Sequence, residues 1–355
     1  MCTKRKVLFF LPSNTGGAQR MTVTIAKMLP PEMFEVKFVI VHRLLGTIVK
    51  FIPENYEIIH IPVHNIYCAA TLRMMRVIRR EKPDVVFSSL LYLNARLIIA
   101  AKLCGCKSVV RNNIDLSRTL SKIAPVLVKM TYRWADKVIA QQEEMHDEII
   151  AYTGISNEKV VTLHNPLDVD DIDKKTHAVS PFTDEGSQVK YVWVGRFSYE
   201  KGQDLAVKAL QLVINTIPNA HLYLVGKYDR NDDYCKSVID YVEKHCLTDV
   251  VHFTGFDTNP YRWVKNCDCY VMPSRLEGLP NSLIDAMYMG KPVVATKCIP
   301  VVERIVKDGY NGYLADNEDV ESIADGMIKA LQLRNFSMTY NPASKEDFIN
   351  LFASV

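Results

Sequence analysis

Lys190–Gly202 reads KYVWVGRFSYEKG, and the order of its residue types decides the fold. Lys190–Val194 is short and mostly apolar, as expected of a strand buried on both faces of a parallel sheet. Gly195 ends it, Arg196 and Lys201 follow, and Asp204–Thr216 then shows a helical pattern. The same strand, loop and helix order recurs in both directions. Upstream, Val7–Leu11 (VLFFL), the polar loop Ser13–Gly17 and a helix over Ala18–Leu29 repeat it. Further strands are expected at Val36–Val41, Glu57–Ile61, Val85–Ser88, Ser108–Arg111 and Lys137–Ala140, with helices at Thr71–Arg80, Leu93–Leu103 and Glu143–Tyr152. Downstream, strands are expected at His221–Val225, Val250–Phe253, Cys269–Met272 and Val293–Ala295. Helices are expected at Asp232–His245, Asn281–Met289 and Val320–Leu333. Such alternation predicts doubly wound α/β domains.

Asp168–Gln188 (DVDDIDKKTHAVSPFTDEGSQ) interrupts the rhythm with polar and acidic residues, a linker composition. The expected organisation is therefore a first Rossmann-like domain over 1–170, a linker over 171–189, a second Rossmann-like domain over 190–335 and a tail over 336–355. The 355 residues agree with this, since ~150 residues per domain gives about 2.4. With two such sheets, ligands are expected beyond the carboxyl ends of strands, in a cleft between domains.

Composition narrows the function. With 48% hydrophobic and 23% charged residues, the chain is neither disordered nor fibrous. The net charge of +3 argues against a dedicated nucleic-acid binder. Nine cysteines include the pairs Cys104/Cys106 and Cys267/Cys269, whose C-x-C spacing does not match zinc sites. Free thiols in a reducing cytosol are expected. The first apolar run stops at Pro12, too short for a signal-peptide core, and none approaches the ~18 residues of a membrane span. The expected location is cytoplasmic, with peripheral attachment at the inner face of the cell membrane.

Three loops carry candidate chemistry. Gly16 and Gly17 follow the first strand, where small residues and a helix N-terminus suit an anion; a tight turn explains them equally well. Arg196 and Lys201 are two cations at a strand mouth, suited to a diphosphate, or else a solvated basic loop. Pro273–Ala286 (PSRLEGLPNSLIDA) follows another strand. There Asn281 or Ser282 would cap a helix, Glu277 sits in the loop, and Asp285 lies a turn inside. Two carboxylates beside a phosphate site suggest a sugar nucleotide; Asp285 also reads as an acid stabilised by the helix dipole.

Together these motifs resemble the retaining GT-B glycosyltransferases of the family-four group, which build capsules, O-antigens and lipid-linked oligosaccharides. V-G-R-x-x-x-x-K-G and E-G-x-P-N-S-x-x-[ED]-A carry the resemblance. It implies two Rossmann-like domains facing each other across a cleft, with the tail crossing back onto the first. It also implies that Gly195, Arg196 and Lys201 hold the donor diphosphate and that Glu277 faces the donor sugar. Gly278, Leu279, Pro280, Asn281, Ser282 and Leu283 would line the sugar and phosphates, Asp285 would take the ribose hydroxyls, and Gly16 and Gly17 would close over the donor. Glu277, Arg196 and Lys201 are the implied catalytic residues. The implied reaction is metal-independent hexosyl transfer from a UDP- or GDP-linked sugar to a saccharide acceptor, lipid-linked in the bacterial relatives, with no cofactor. A nucleotide-sugar epimerase of the same fold and a non-catalytic binding relative are the alternatives.

The sequence departs from the family pattern at three places. The second acid is Asp285 where the family has Glu. Val110–Asn113 (VRNN) replaces a stretch that often holds His, leaving Arg111 and Asn112 as acceptor-side candidates. Cys298–Glu303 (CIPVVE) replaces a glycine-rich turn. Asp168-Val169-Asp170 matches a D-x-D metal pattern but falls in the expected linker. The histidines and the three tryptophans read as structural or packing residues. Finally, residues 116–134 (LSRTLSKIAPVLVKMTYRW) read as a helix kinked at Pro125. Leu116, Leu120, Ile123, Leu127, Met130 and Trp134 form one face, and Arg118, Lys122, Lys129 and Arg133 the other. Such a helix either meets an anionic membrane or polyprenyl acceptor, or packs on its own domain.

Overall fold

The computed structural model describes residues 4–63, 70–113, 116, 124–182 and 188–355. Arg118 and Lys122 lie outside the described residues. The chain divides into two units: Met1–Leu167 with Asn341–Val355, and Asp168–Tyr340.

In the first unit the elements are β1 (Arg5–Leu11), α1 (Gly17–Lys27), β2 (Phe34–Val41), β3 (Glu57–Ile61), α2 (Ala70–Glu81), β4 (Val85–Ser88), α3 (Leu91–Cys104), β5 (Lys107–Arg111), α4 (Ala124–Thr131), β6 (Lys137–Ala140), α5 (Glu143–Thr153) and β7 (Val160–Thr162). The second unit contains α6 (Val169–Thr176), β8 (Val189–Val194), α7 (Gln203–Val213), β9 (Ala220–Val225), α8 (Asp233–Lys244), β10 (Val251–Gly255), α9 (Tyr261–Lys265), β11 (Cys269–Met272), α10 (Asn281–Tyr288), β12 (Val293–Thr296), α11 (Pro300–Ile305), β13 (Gly312–Ala315) and α12 (Val320–Ala330). A last helix, α13 (Lys345–Ser354), belongs to the first unit.

Each unit is a parallel, Rossmann-like sheet. Among the described residues the first has seven strands in the order β3-β2-β1-β4-β5-β6-β7, the second six in the order β10-β9-β8-β11-β12-β13. The strands are short and apolar because helices cover both faces: all four residues of β4, β11 and β12 are buried. In both sheets the order reverses once, between β1 and β4 and between β8 and β11. Crossovers leave to opposite sides there, so the carboxyl ends of those strands open a crevice.

The segment expected to be a linker from 171 begins as structure. Asp168 caps α6 by accepting from the Asp171 N–H at 3.4 Å, with Asp170 and Asp171 at the positive end and Lys174 and Lys175 at the negative end. Those charges match the helix dipole, so the acidic run is a helix start and the D-x-D is its cap. In the C-terminal segment, a reciprocal Ser344–Asp347 capping box starts α13. Its Phe352 ring lies 5.7 Å from those of Phe9 and Phe87, and Phe348 and Phe352 are buried. Residues far apart in the sequence, Phe9 and Phe87 with Phe352, thus build one aromatic core.

The helical face expected over 116–134 holds only in part where it is described: Leu116 is buried, but Met130 and Trp134 are exposed. Val128, Thr131 and Tyr132 are buried, whereas Val126, Lys129, Met130, Arg133 and Trp134 are exposed. After α4 the chain tightens into a 3-10 turn over Tyr132–Trp134, which breaks the 3.6-residue period. Among the described residues, no helix is long and apolar enough to cross a membrane.

Phe352→Ala should lower the stability of the first unit by about 3–5 kcal/mol, the range for emptying a large aromatic site. Urea unfolding monitored on that unit measures it, and a loss under 1 kcal/mol would mean α13 is dispensable to the core.

Candidate active site

The reversal point of the second sheet positions the motif residues. β8 ends at Val194 and is followed by Gly195, whose N–H donates to the Val225 carbonyl at 3.1 Å. Phe197 packs edge-on against Trp193, ring centroids 5.4 Å apart, which leaves Arg196 exposed between them. A 3-10 turn, Tyr199–Lys201, leads to Gly202 and α7. Gly202 has φ +68°, and a Cβ there would lie 2.0 Å from the Pro273 carbonyl oxygen. Glycine is therefore required twice over, for the left-handed backbone and for the space. This contact seats the β8–α7 loop against the β11–α10 loop.

The seating brings Lys201 to Glu277. The ammonium lies 2.7 and 2.6 Å from the two carboxylate oxygens, and the Ser274 hydroxyl donates to Glu277 Oε1 at 2.8 Å. The Glu277 side chain is 8% exposed and that of Lys201 29%. A largely desolvated, doubly bonded carboxylate beside a half-exposed cation is a fixed charge pair at a sheet's binding edge. The Gln203 amide, buried, donates to the Arg196 carbonyl at 3.0 Å, fixing the backbone from which that cation extends.

α10 follows from the same loop. Its N-cap position is Pro280, and no side chain caps it, a correction to the expected cap at Asn281 or Ser282. The Ser282 hydroxyl instead accepts from the Tyr270 phenol at 2.7 Å. Gly278 is half-buried, Leu279, Pro280 and Leu283 are buried, and Asn281, Ser282 and Asp285 are half-buried. The Tyr270 phenol is pushed up first by burial and further by Glu277 and Asp285, so both carboxylates act on one locality. An uncapped helix start with carboxylates on either side suits a phosphate flanked by hydroxyls. Cys298, in the turn before α11, is pushed up to about 11 by burial, with Glu277 raising it further and Lys201 lowering it. That turn therefore lies within the field of the pair.

In the first unit, Gly16 is the N-cap of α1, and a Cβ on it would lie 2.6 Å from Gln19 Oε1. Gln19 in turn reaches Asn14 at 3.3 Å, and Gly17 opens the helix. Arg111 and Asn112 are buried. Arg111 donates to Asn165, and Asn112 accepts from Gln141 at 2.8 Å through its carbonyl and from Tyr132 through its side chain. They belong to a buried polar network at the carboxyl ends of β5 and β6. Among the tryptophans expected to pack, Trp193 is buried and Trp134 is 44% exposed. A cavity of about 540 Å3 opens near Asp268, Pro292 and Arg334, at the amino ends of the strands and away from the motif loops.

Sequence reading missed Ser274 and Gln203 as supports of the site. Both flank motif residues, but only the fold shows where their side chains turn. It also left the final glycine of V-G-R-x-x-x-x-K-G without a reason, which its contact with Pro273 supplies.

Two family models match the chain: "Glycosyltransferase Family 4" over residues 15–171 and "Glycosyl transferases group 1" over 177–347. One relative is the N-acetylgalactosamine-N,N'-diacetylbacillosaminyl-diphospho-undecaprenol 4-alpha-N-acetylgalactosaminyltransferase of Campylobacter jejuni, 21% identical over 95% of this chain and 93% of that one. Another is the capsular polysaccharide biosynthesis glycosyltransferase CapH of Staphylococcus aureus, 24% identical over 95% and 93%. Among solved structures, Anabaena HepE in complex with UDP and glucose superposes with a TM-score of 0.78 at 19% identity, covering 99% of this chain and 98% of that one.

Gly290, at φ +71°, has open space where a Cβ would go. Gly290→Ala should therefore cost about 1–2 kcal/mol, the left-handed penalty alone, while Gly202→Ala should cost about 1–3 kcal/mol more, for displaced backbone. Calorimetry of the two variants compares them directly; equal losses would mean the Pro273 contact yields to a methyl group.

Proposed function

The chain belongs to the GT-B glycosyltransferases, and from that premise we propose that it transfers a hexose, with retention of configuration, from a nucleotide-diphosphate sugar to a lipid-linked saccharide. The observation that carries this reading is the Lys201–Glu277 pair at the carboxyl edge of the second sheet. A diphosphate arriving there meets Lys201 and the exposed Arg196, two cations that neutralise the charge developing as it leaves. Glu277, freed in part from Lys201, accepts hydroxyls of the donor sugar, and Asp285 those of the ribose.

In the proposed step the bond from the sugar's anomeric carbon to the phosphate oxygen breaks. The acceptor hydroxyl bonds to that carbon on the same face, and its proton passes to the departing phosphate oxygen. No protein base, metal or cofactor is required. The protein contributes position and charge. The first unit takes the acceptor in this reading, and its buried Arg111 and Asn112 shape the region rather than exchange protons.

The Campylobacter relative, named for a diphospho-undecaprenol substrate, supports a lipid-linked acceptor and gives the exposed surface of α4 and the 3-10 turn after it a use. Val126, Met130 and Trp134 stand out beside Lys129 and Arg133, a combination suited to an anionic membrane surface. The protein thus works against the inner face of the membrane. Lys129→Glu with Arg133→Glu should abolish sedimentation with anionic liposomes; unchanged sedimentation would remove this part of the reading.

A thermal-shift panel of UDP, GDP, ADP and dTDP tests the donor. UDP or GDP should raise the melting temperature, and Lys201→Ala should reduce donor turnover by about 100-fold or more, the scale of a lost charge-stabilising contact. Asp285→Asn should mainly weaken donor binding. Near-normal turnover of Lys201→Ala would exclude the role given to that residue.

A further inference from the structure

Arg275 is the second residue of the β11–α10 loop to follow Pro273, and two residues later the chain reaches Glu277. Its side chain is 12% exposed, and nearly every edge of it is used. Nη1 and Nη2 each donate to a different oxygen of Asp204 at 2.8 Å. Nη1 also donates to the Tyr199 carbonyl at 2.9 Å, and Nε donates to Glu318 Oε1 at 2.6 Å. The guanidinium carbon lies 4.0 Å from the centroid of the Tyr199 ring. The Arg275 backbone N–H donates to the Glu200 carbonyl at 2.7 Å. Glu318 itself takes φ +62°, a left-handed backbone that is costly for a residue other than glycine. It is held there beside Arg275.

The bonds to Tyr199, Glu200 and Asp204 join the same two segments as the Lys201–Glu277 pair, Asp204 standing in the first turn of α7, and the bond to Glu318 adds the segment before α12. Lys201 lies between Tyr199 and Asp204, which Arg275 grips on either side; Glu277 lies just beyond Arg275. The two ion pairs differ in what a ligand can do to them. Lys201 is the cation a diphosphate would draw away from Glu277, whereas Arg275 already spends four of its five N–H groups on protein partners. Its bidentate pair therefore persists when the other changes partner.

We infer that Arg275 is the positioning residue of the donor site, holding the Lys201 loop and the Glu277 loop in register while their own ion pair is exchanged for ligand. A fork geometry is needed, so Lys cannot replace it. Asp204 is its counterpart. Burial alone would raise that carboxyl, but Arg275 and the Tyr234 hydroxyl outweigh it and hold it below the usual range. The pair thus stays ionised through neutral pH.

The consequence for turnover rests on the proposed donor reading, and the test separates the two. Hydrogen exchange of the full chain without ligand is measured first, for wild type, Arg275→Lys and Asp204→Asn. The amides of 199–202 and 274–279 should exchange about 10- to 100-fold faster in both variants, the equivalent of one charged bidentate contact, with those of β9 unchanged. A double-mutant cycle of Arg275→Lys and Lys201→Ala on donor turnover should be strongly non-additive, because Arg275 acts through the Lys201 loop. Unchanged exchange, exchange raised evenly across the second unit, or additive losses in turnover would each overturn the inference. If wild type binds neither UDP nor GDP by calorimetry, the donor reading fails, and the exchange experiment alone decides whether Arg275 holds the two loops.

Discussion

Charges from two different loops can be kept in register only if the loops touch, and in the second unit they touch at a glycine. Gly202 lies so close to the Pro273 carbonyl that no side chain fits. The charged groups of the two motif loops are arranged around this contact. It sets Lys201 against Glu277, lets Ser274 support the carboxylate and allows Arg275 to reach Asp204. The sheet order supplies the place, since β8 and β11 are neighbours only because the strand order reverses between them. Sites built on rigid strand ends gain precision that a free loop lacks.

The first unit handles buried polarity differently. At its strand ends Arg111, Asn112, Asn94, Gln141 and Asn165 are all buried, and they bond mostly to one another and to backbone: Asn94 donates to the Arg111 carbonyl at 2.9 Å and Gln141 to that of Asn112. Such a network is stable only when its members are satisfied, so it favours a rigid floor over mobile side chains. The second unit instead leaves Arg196 exposed and Lys201 partly so, where an incoming anion can compete for them.

Much of this was legible in the sequence, and the failures have physical causes. Runs such as VLFFL and VVFS are apolar throughout because helices cover both faces of the sheets, so the strands declare themselves. β13 was missed because it opens on Gly312, packed against Val293 where a Cβ would clash. α6 was missed because it buries little beyond Ile172; its cap and charged ends hold it, and these look like linker chemistry. Trp134 fell on the wrong face because a helical period was carried through a 3-10 turn. At the site, spacing identified Arg196, Lys201, Glu277 and Asp285 as members of one pattern. Spacing is blind to contacts through space, so Gly202 against Pro273, and the grip of Arg275 on Asp204, emerged only with the fold.

The return of α13 to the first unit has a consequence for how the chain is made. The second unit is contiguous, Asp168–Tyr340, and can close as soon as it has emerged from the ribosome. The aromatic cluster of Phe9, Phe38 and Phe87 must wait for Phe352. Until then the Phe9 and Phe87 rings lack the cover that Phe352 gives them, for the time needed to translate the whole second unit. At ~5–20 residues per second that interval is on the order of 10 s or more, long compared with collapse of a chain this size. The first unit to be translated is therefore the last to be finished, and it is the part for which a chaperone holding apolar surface matters most.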